Sequence, residues 1–133
     1  MMPPSTPNVT EAELRVLQAL WDLGPCTIRK LTDHLYPGGG QSAYATVQKL
    51  LDRLEETDPV PCVARDRSAM THVFVAAVSR DDFIGGQLRA VADRLCGGSV
   101  TPLLTHLLKT ETLSDDERKE LRKLLGAHRP PRG

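Results

Sequence analysis

Apolar residues recur along this chain first at helical spacing, then with a period of two, then at helical spacing again, and that order predicts the fold. Leu14, Leu17, Leu20 and Trp21 form the first stripe, three to four residues apart as one face of a helix requires. Thr10, Glu11, Ala12 and Glu13 precede it as a capping box, and Gly24 and Pro25 end it, since glycine accepts a left-handed cap and proline cannot continue the hydrogen-bond ladder. Thr27 caps a shorter second helix with Ile28, Leu31 and Leu35 on its inner side, closed by Tyr36, Pro37 and three glycines. A third helix over 42–56, SAYATVQKLLDRLEE, buries Val47, Leu50, Leu51 and Leu54.

Beyond it the period changes. Val60, Cys62 and Ala64 alternate with Pro61, Val63 and Arg65, and Val73 and Val75 alternate with His72, Phe74 and Ala76, which predicts two strands. Their connector, RDRSAMT, carries Arg65 and Arg67 toward its tip and is too long for a minimal hairpin turn. Helical spacing then returns. Ser79 caps a stripe of Phe83, Ile84, Leu88, Val91 and Leu95, which Gly97 and Gly98 end. Thr101 and Pro102 start a helix with Leu103, Leu104, Leu107 and Leu108, and Ser114, Asp115, Asp116 and Glu117 form a capping box ahead of Leu121, Leu124 and Leu125.

Three helices and a hairpin with a basic tip predict a winged helix-turn-helix. The fold class expected is therefore mainly α with a small β-hairpin, a winged helix over 10–78 and a helical dimerisation region over 79–128. Residues 1–9 and 129–133 are expected to be flexible tails. The free side of the third helix carries small, hydrogen-bonding and cationic groups suited to base edges and phosphate oxygens. Its candidate groove contacts are Ala43, Tyr44, Ala45, Thr46, Gln48 and Lys49, with Arg53 at the edge and Arg65 and Arg67 reaching the DNA backbone from the wing. The short C-terminal helices hold more leucine than they can hide on one another, so Leu88, Leu95, Leu103, Leu104, Leu107, Leu121 and Leu124 are the candidate homodimer contacts. Packing of those leucines back onto the winged helix is the alternative.

Composition narrows the function. With 133 residues the chain holds one domain, or one small domain with a helical appendage. Lys plus Arg and Asp plus Glu are both 17, so affinity for double-stranded DNA has to come from local placement of charge. The same neutrality keeps open a second reading, a winged helix that docks protein without specific DNA binding. No apolar run is long enough to span a bilayer, and MMPPSTPNVT lacks the basic start and apolar stretch of a signal peptide. A cytoplasmic protein without membrane insertion is expected. Cys26, Cys62 and Cys96 are far apart, and His34, His72, His106 and His128 stand outside ligand spacing, so no metal or other cofactor is expected. Without a phosphate loop or nucleophile elbow an enzyme is the weakest class; oxidation of a cysteine in a redox-sensing repressor is a milder variant.

The stretches TEAELRVLQALW, AYATVQKLLDRL, the VFV of the second strand and TLSDDERKELRKLL, in this order and spacing, resemble the penicillinase-repressor family of bacterial transcriptional regulators, which includes copper-responsive relatives. The resemblance runs over about 10–128. It implies a dimeric winged-helix repressor on a palindromic operator, relieved when a membrane sensor metalloprotease leads to cleavage in the dimerisation part. Where the family usually closes its recognition helix with Lys-Gly, this chain has Thr57 and Asp58; a common mid-helix Thr is Lys49, and the Tyr and Pro that end the wing are Ala76 and Val78. The copper branch's Cys-x-Cys pairs are absent from GAHRPPRG. Residues 105–107, where family cleavage would fall, differ from the usual ones.

Overall fold

A computed structural model of the chain describes residues 7–58, 60–110 and 113–127, without the side chains at 110, 125 and 127. Residues 1–6 and 129–133 of the expected tails, and His128, lie outside the described residues. The elements run α1 (Glu11–Leu23), α2 (Ile28–Leu35), α3 (Gly40–Glu55), β1 (Val63–Asp66), β2 (Val73–Ala76), α4 (Arg80–Leu95), α5 (Thr101–Thr110) and α6 (Asp115–Ala127). This is the expected winged helix followed by three further helices.

Local chemistry fixes the helix starts. The Thr10 hydroxyl accepts from the Glu13 amide at 3.2 Å and donates to the Glu13 carboxylate at 3.1 Å; Thr27 accepts from the Lys30 amide at 3.1 Å and Ser79 from the Asp82 amide at 3.0 Å. Ser114 and Glu117 exchange both bonds of a capping box, each at 3.1 Å. Each cap satisfies an amide that the helix itself cannot. At the other end of α1, Gly24 has φ 80° and donates to the Leu20 carbonyl at 2.9 Å, a backbone conformation that a side chain would oppose.

The core is aliphatic. Val16, Leu17 and Leu20 of α1, Leu31 of α2, and Val47, Leu50, Leu51 and Leu54 of α3 enclose Phe74 of β2, with Cys26, Cys62 and Val63 at the margin. The hairpin pairs antiparallel with Val63 opposite Ala76, Ala64 opposite Val75, Arg65 opposite Phe74 and Asp66 opposite Val73. A further pairing was not foreseen. Cys26, between α1 and α2, donates to the Phe74 carbonyl at 3.0 Å and accepts from its amide at 2.7 Å. The wing is thereby hydrogen-bonded to the helix-turn-helix as well as packed on it.

Alternation alone left open which row of each strand points inward, and the burial of its residues decides it. Phe74 and Val63 are fully buried, whereas Val73 and Val75 are half-buried and Ala64 is exposed, so the inward row is Val63 and Arg65 facing Phe74 and Ala76. A shift of one residue exchanges the two faces of a strand. Pro7 and Val9 depart from the expected loose tail: Val9 packs against the core and the Pro7 carbonyl accepts from Gln87 Nε2 at 2.9 Å.

One joint connects the winged helix to α4. Trp21 Nε1 donates to the Val78 carbonyl at 2.8 Å, its ring meets Phe83 at 5.6 Å, and Arg80 reaches Asp22 at 2.6 Å across the Trp21 ring. Phe83, Gly86 and Ala92 are buried on α4, but neither α5 nor α6 has a buried residue among its described side chains.

Cys26 and Cys62 are each 1% exposed, and burial pushes both thiols above their ordinary value; Lys30 opposes it at Cys26, and the Thr57 hydrogen bond opposes it at Cys62. A thiol held neutral in an apolar setting is a poor nucleophile. Iodoacetamide at neutral pH is therefore expected to modify Cys96 in the folded protein and Cys26 and Cys62 only after denaturation. Mass spectrometry reads this directly, and native modification of either buried thiol would mean that the core opens.

Candidate nucleic-acid interface

The two sides of α3 separate cleanly. Val47, Leu50, Leu51 and Leu54 are buried, while Gln41, Ser42, Tyr44, Ala45, Thr46, Gln48, Lys49 and Arg53 are exposed and Ala43 is half-buried. Positions 42, 45, 46, 49 and 53 fall on one outward row, because residues three and four apart share a helix face. Among the described residues neither Lys49 nor Arg53 forms an ion pair. The Thr46 hydroxyl donates to the Ser42 carbonyl at 3.0 Å, leaving its lone pairs for an outside donor. Small, amide, hydroxyl and cationic groups thus share a surface that can approach nucleic acid closely.

The N-terminal end of α3 rests on a tight glycine turn. Gly38 and Gly40 have φ 75° and 67°, and Gly39 donates to the Tyr36 carbonyl at 2.9 Å. A Cβ on Gly39 would lie 2.5 Å from the Ala43 Cβ and 3.0 Å from the Tyr36 carbonyl oxygen. Beside this turn Arg29, Thr32, Asp33 and Tyr36 of the α2 segment line a recess together with Gln41 and Tyr44. Arg29 and its exposed neighbour Lys30 were missed as candidates. Their signal was the outward face of α2, opposite Ile28, Leu31 and Leu35.

The two wing arginines have different placements. Arg67 is 64% exposed in its side chain, with Nη2 4.0 Å from Glu55 Oε2. The Arg65 side chain is only 14% exposed and turned onto α3, where Nη2 meets Asp52 Oδ1 at 2.7 Å and also Glu55 Oε1. Its guanidinium lies 4.6 Å above the Phe74 ring, and Nη1 is 3.4 Å from His72 Nδ1. Burial alone disfavours the cation, but the bonds and charges of Glu55 and Asp52 outweigh it and hold its pKa above the ordinary arginine value. The expectation that Arg65 touches DNA backbone is corrected on this geometry: opposite Phe74 in the ladder, it sits on the inward face of β1.

The departure at Thr57 also has a structural reading. Its hydroxyl oxygen is 3.1 Å from the Leu54 carbonyl and 2.9 Å from the Val60 carbonyl, and it accepts from the Cys62 amide at 3.0 Å. A cation is lost there, but the turn from α3 to the wing is hydrogen-bonded closed.

The candidate dimer contacts are largely uncovered. Leu88, Leu95, Leu104, Leu107 and Leu124 are 43–68% exposed, and Leu103 and Leu121 are half-buried. Ile84 and Leu108 are likewise exposed. No three potential ligands of the His, Cys, Asp and Glu types gather into a metal site among the described residues, and no helix there is long and apolar enough to cross a membrane.

A helix seated by its apolar side on two others, with its polar and cationic side free and a hairpin beside it, defines a winged-helix DNA-binding transcriptional regulator. The chain belongs to the penicillinase repressor family, whose model matches residues 9–127. It is also similar to the HTH-type transcriptional regulator MgrA of Staphylococcus aureus, 31% identical over 121 residues that cover 90% of this chain and 69% of that protein. The regulators of the same name from strains NCTC 8325 / PS 47 and COL match to the same extent. The family and these relatives are transcriptional regulators, not enzymes.

The crowding at Gly39 gives a test of how the turn sets α3. Gly39→Ala is expected to lower stability by about 1–3 kcal/mol, in the range for overpacking, and to weaken DNA binding in the remaining folded protein by displacing Tyr44 and Gln41. Thermal unfolding and DNA titration of a variant indistinguishable from the parent would show that the turn gives way freely.

Proposed function

We propose that the chain represses transcription in the cytoplasm as a homodimer on a palindromic operator, one α3 entering the major groove at each half-site. The carrying observation is the free face of α3, where Lys49 and Arg53 form no ion pair among the described residues and stand beside Ala45, Thr46 and Gln48. Ala43 and Tyr44 lie at its groove-entering end, and Arg67 is exposed on the wing to meet phosphate. The uncovered leucines of α4 to α6 support the homodimer, since apolar surface of that extent is normally covered. Two copies would double the phosphate contacts of a chain with no net charge and match a two-fold operator.

Relief of repression by cleavage in α5, set off by a membrane sensor metalloprotease, belongs to the same proposal. It is supported by the exposure of Thr105 and His106 on a helix without a buried residue among its described side chains. A cut there would separate α6 from the winged helix and uncouple the two copies.

Titration against the DNA upstream of the chain's own gene, at two salt concentrations and beside an unrelated duplex, tests the central reading. Selective binding that weakens with salt is expected. Equal or absent binding on both duplexes would instead make the winged helix a protein-docking module.

Two variants test the parts separately. Lys49→Glu is expected to reduce operator affinity by about a hundredfold while leaving thermal stability close to that of the parent, because it replaces an outward cation with a like charge for phosphate. A folded Lys49→Glu protein with normal binding would place the interface elsewhere. Leu107→Asp is expected to sediment as a monomer and to lose affinity with it; a fully dimeric Leu107→Asp protein would move the contact off α5.

A further inference from the structure

The charge on α3 poses a problem that the candidate contacts leave unsolved. From Gln41 to its cap, the helix carries Lys49 and Arg53 against Asp52, Glu55 and Glu56, so by itself it would be repelled by a phosphate backbone. Asp52 and Glu55 sit on the side of α3 nearest the wing, and it is there that Arg65 lies.

We propose that Arg65 is a positioning residue for DNA binding: it masks the carboxylates of Asp52 and Glu55 and fixes the wing against α3, so that a recognition helix with excess negative charge can approach phosphate. The proposal rests on the reading that α3 enters the groove. Three observations carry it. One guanidinium nitrogen bridges both carboxylates, at 2.7 Å to Asp52 and closer to Glu55, so a single cation answers two anions. The Phe74 ring below and the ladder position opposite it fix the guanidinium in place, with little freedom to turn outward. Arg65 Nε is buried without a hydrogen-bond partner among the described residues, so the arrangement does not maximise the arginine's own bonding; it serves the two acids.

Arg67 completes the device from outside. Glu55 presents Oε1 to Arg65 and Oε2 toward Arg67 at 4.0 Å. Asp66, the remaining acid of the hairpin, accepts from the Ser68 amide at 2.8 Å, and the Ser68 hydrogen bonds hold its carboxyl below the ordinary value. It is turned into the connector rather than toward α3. Lysine at position 65 would keep the charge but lose the flat guanidinium that lies over the Phe74 ring.

The test uses the full chain and a short fluorescent duplex of arbitrary sequence at low salt, so that it does not depend on knowing an operator. Arg65→Gln is expected to lower affinity about tenfold and to flatten the salt dependence, because uncovered carboxylates oppose counterion release. Adding Asp52→Asn and Glu55→Gln to that variant removes the acids that need masking and is expected to restore affinity to within about threefold of the parent. The same two acid replacements in the parent, where Arg65 becomes a free cation, are expected to raise affinity and steepen the salt slope by about 0.9 per phosphate gained. A triple variant as weak as Arg65→Gln would show that Arg65 only props the hairpin. Unchanged affinity in the double acid variant would show that the DNA does not sense those charges, and this arm decides the matter even where Arg65→Gln fails to fold by circular dichroism. Lys49→Glu in the same assay separates the premise from the proposal: undiminished binding there would remove α3 from the groove, whatever Arg65 does.

Discussion

Phe74 is where the parts of the winged helix meet. Its ring is fully buried under α1 and α3, its backbone exchanges two hydrogen bonds with Cys26 between α1 and α2, and Arg65 lies across its face. The other buried ring of the core, Phe83, lies on α4 beside Trp21. Burying such a side chain contributes about 1.5–3 kcal/mol, but the geometric effect matters more. The wing is placed by the same residue that closes the core, so the angle between wing and recognition helix follows from folding itself.

That coupling explains how a chain of zero net charge can be a DNA-binding regulator. Cations and anions are equal in number but unequal in accessibility. Lys49 and Arg53 face outward with no ion pair among the described residues and Arg67 is only loosely paired, while Asp52 and Glu55 face an arginine across the α3 and β1 contact. For partly buried ion pairs the cost of desolvating the charges offsets much of their attraction. Their larger effect here is on the potential that an approaching polyanion meets, which depends on which charges are answered within the chain and which are not.

The helices were legible because their signals are local. Thr10, Thr27, Ser79 and Ser114 cap where their side chains predict, and the leucine stripes locate the inner faces of α1 to α3. The helix-turn-helix and the family resemblance followed from those elements and their order. What could not be read depends on long-range pairing. The Cys26 bridge to Phe74 is a single residue with no pattern around it. In the hairpin both faces carry apolar residues, so alternation alone could not decide whether Phe74 or Val73 and Val75 point inward. Arg65 was read as part of the polar connector, near its tip, and its place on β1 opposite Phe74 depends on a strand register that the local pattern does not fix. Arg29 and Lys30 were overlooked for a related reason: their outward face acquires meaning only once the glycine turn brings α2 beside Tyr44.

The joint at Trp21 carries a further consequence. Trp21 bonds the Val78 carbonyl and meets Phe83 at a tilt, and Arg80 closes the other side through Asp22, so α4 leaves the winged helix in a set direction. In a pair of chains joined through their C-terminal helices, the separation of the two α3 helices is then a property of this hinge, far from any base. Half-sites that repeat at about 34–36 Å, one turn of DNA, are matched only if that span is right. The length of the operator would be written in Trp21 and Arg80, while its letters are written in α3.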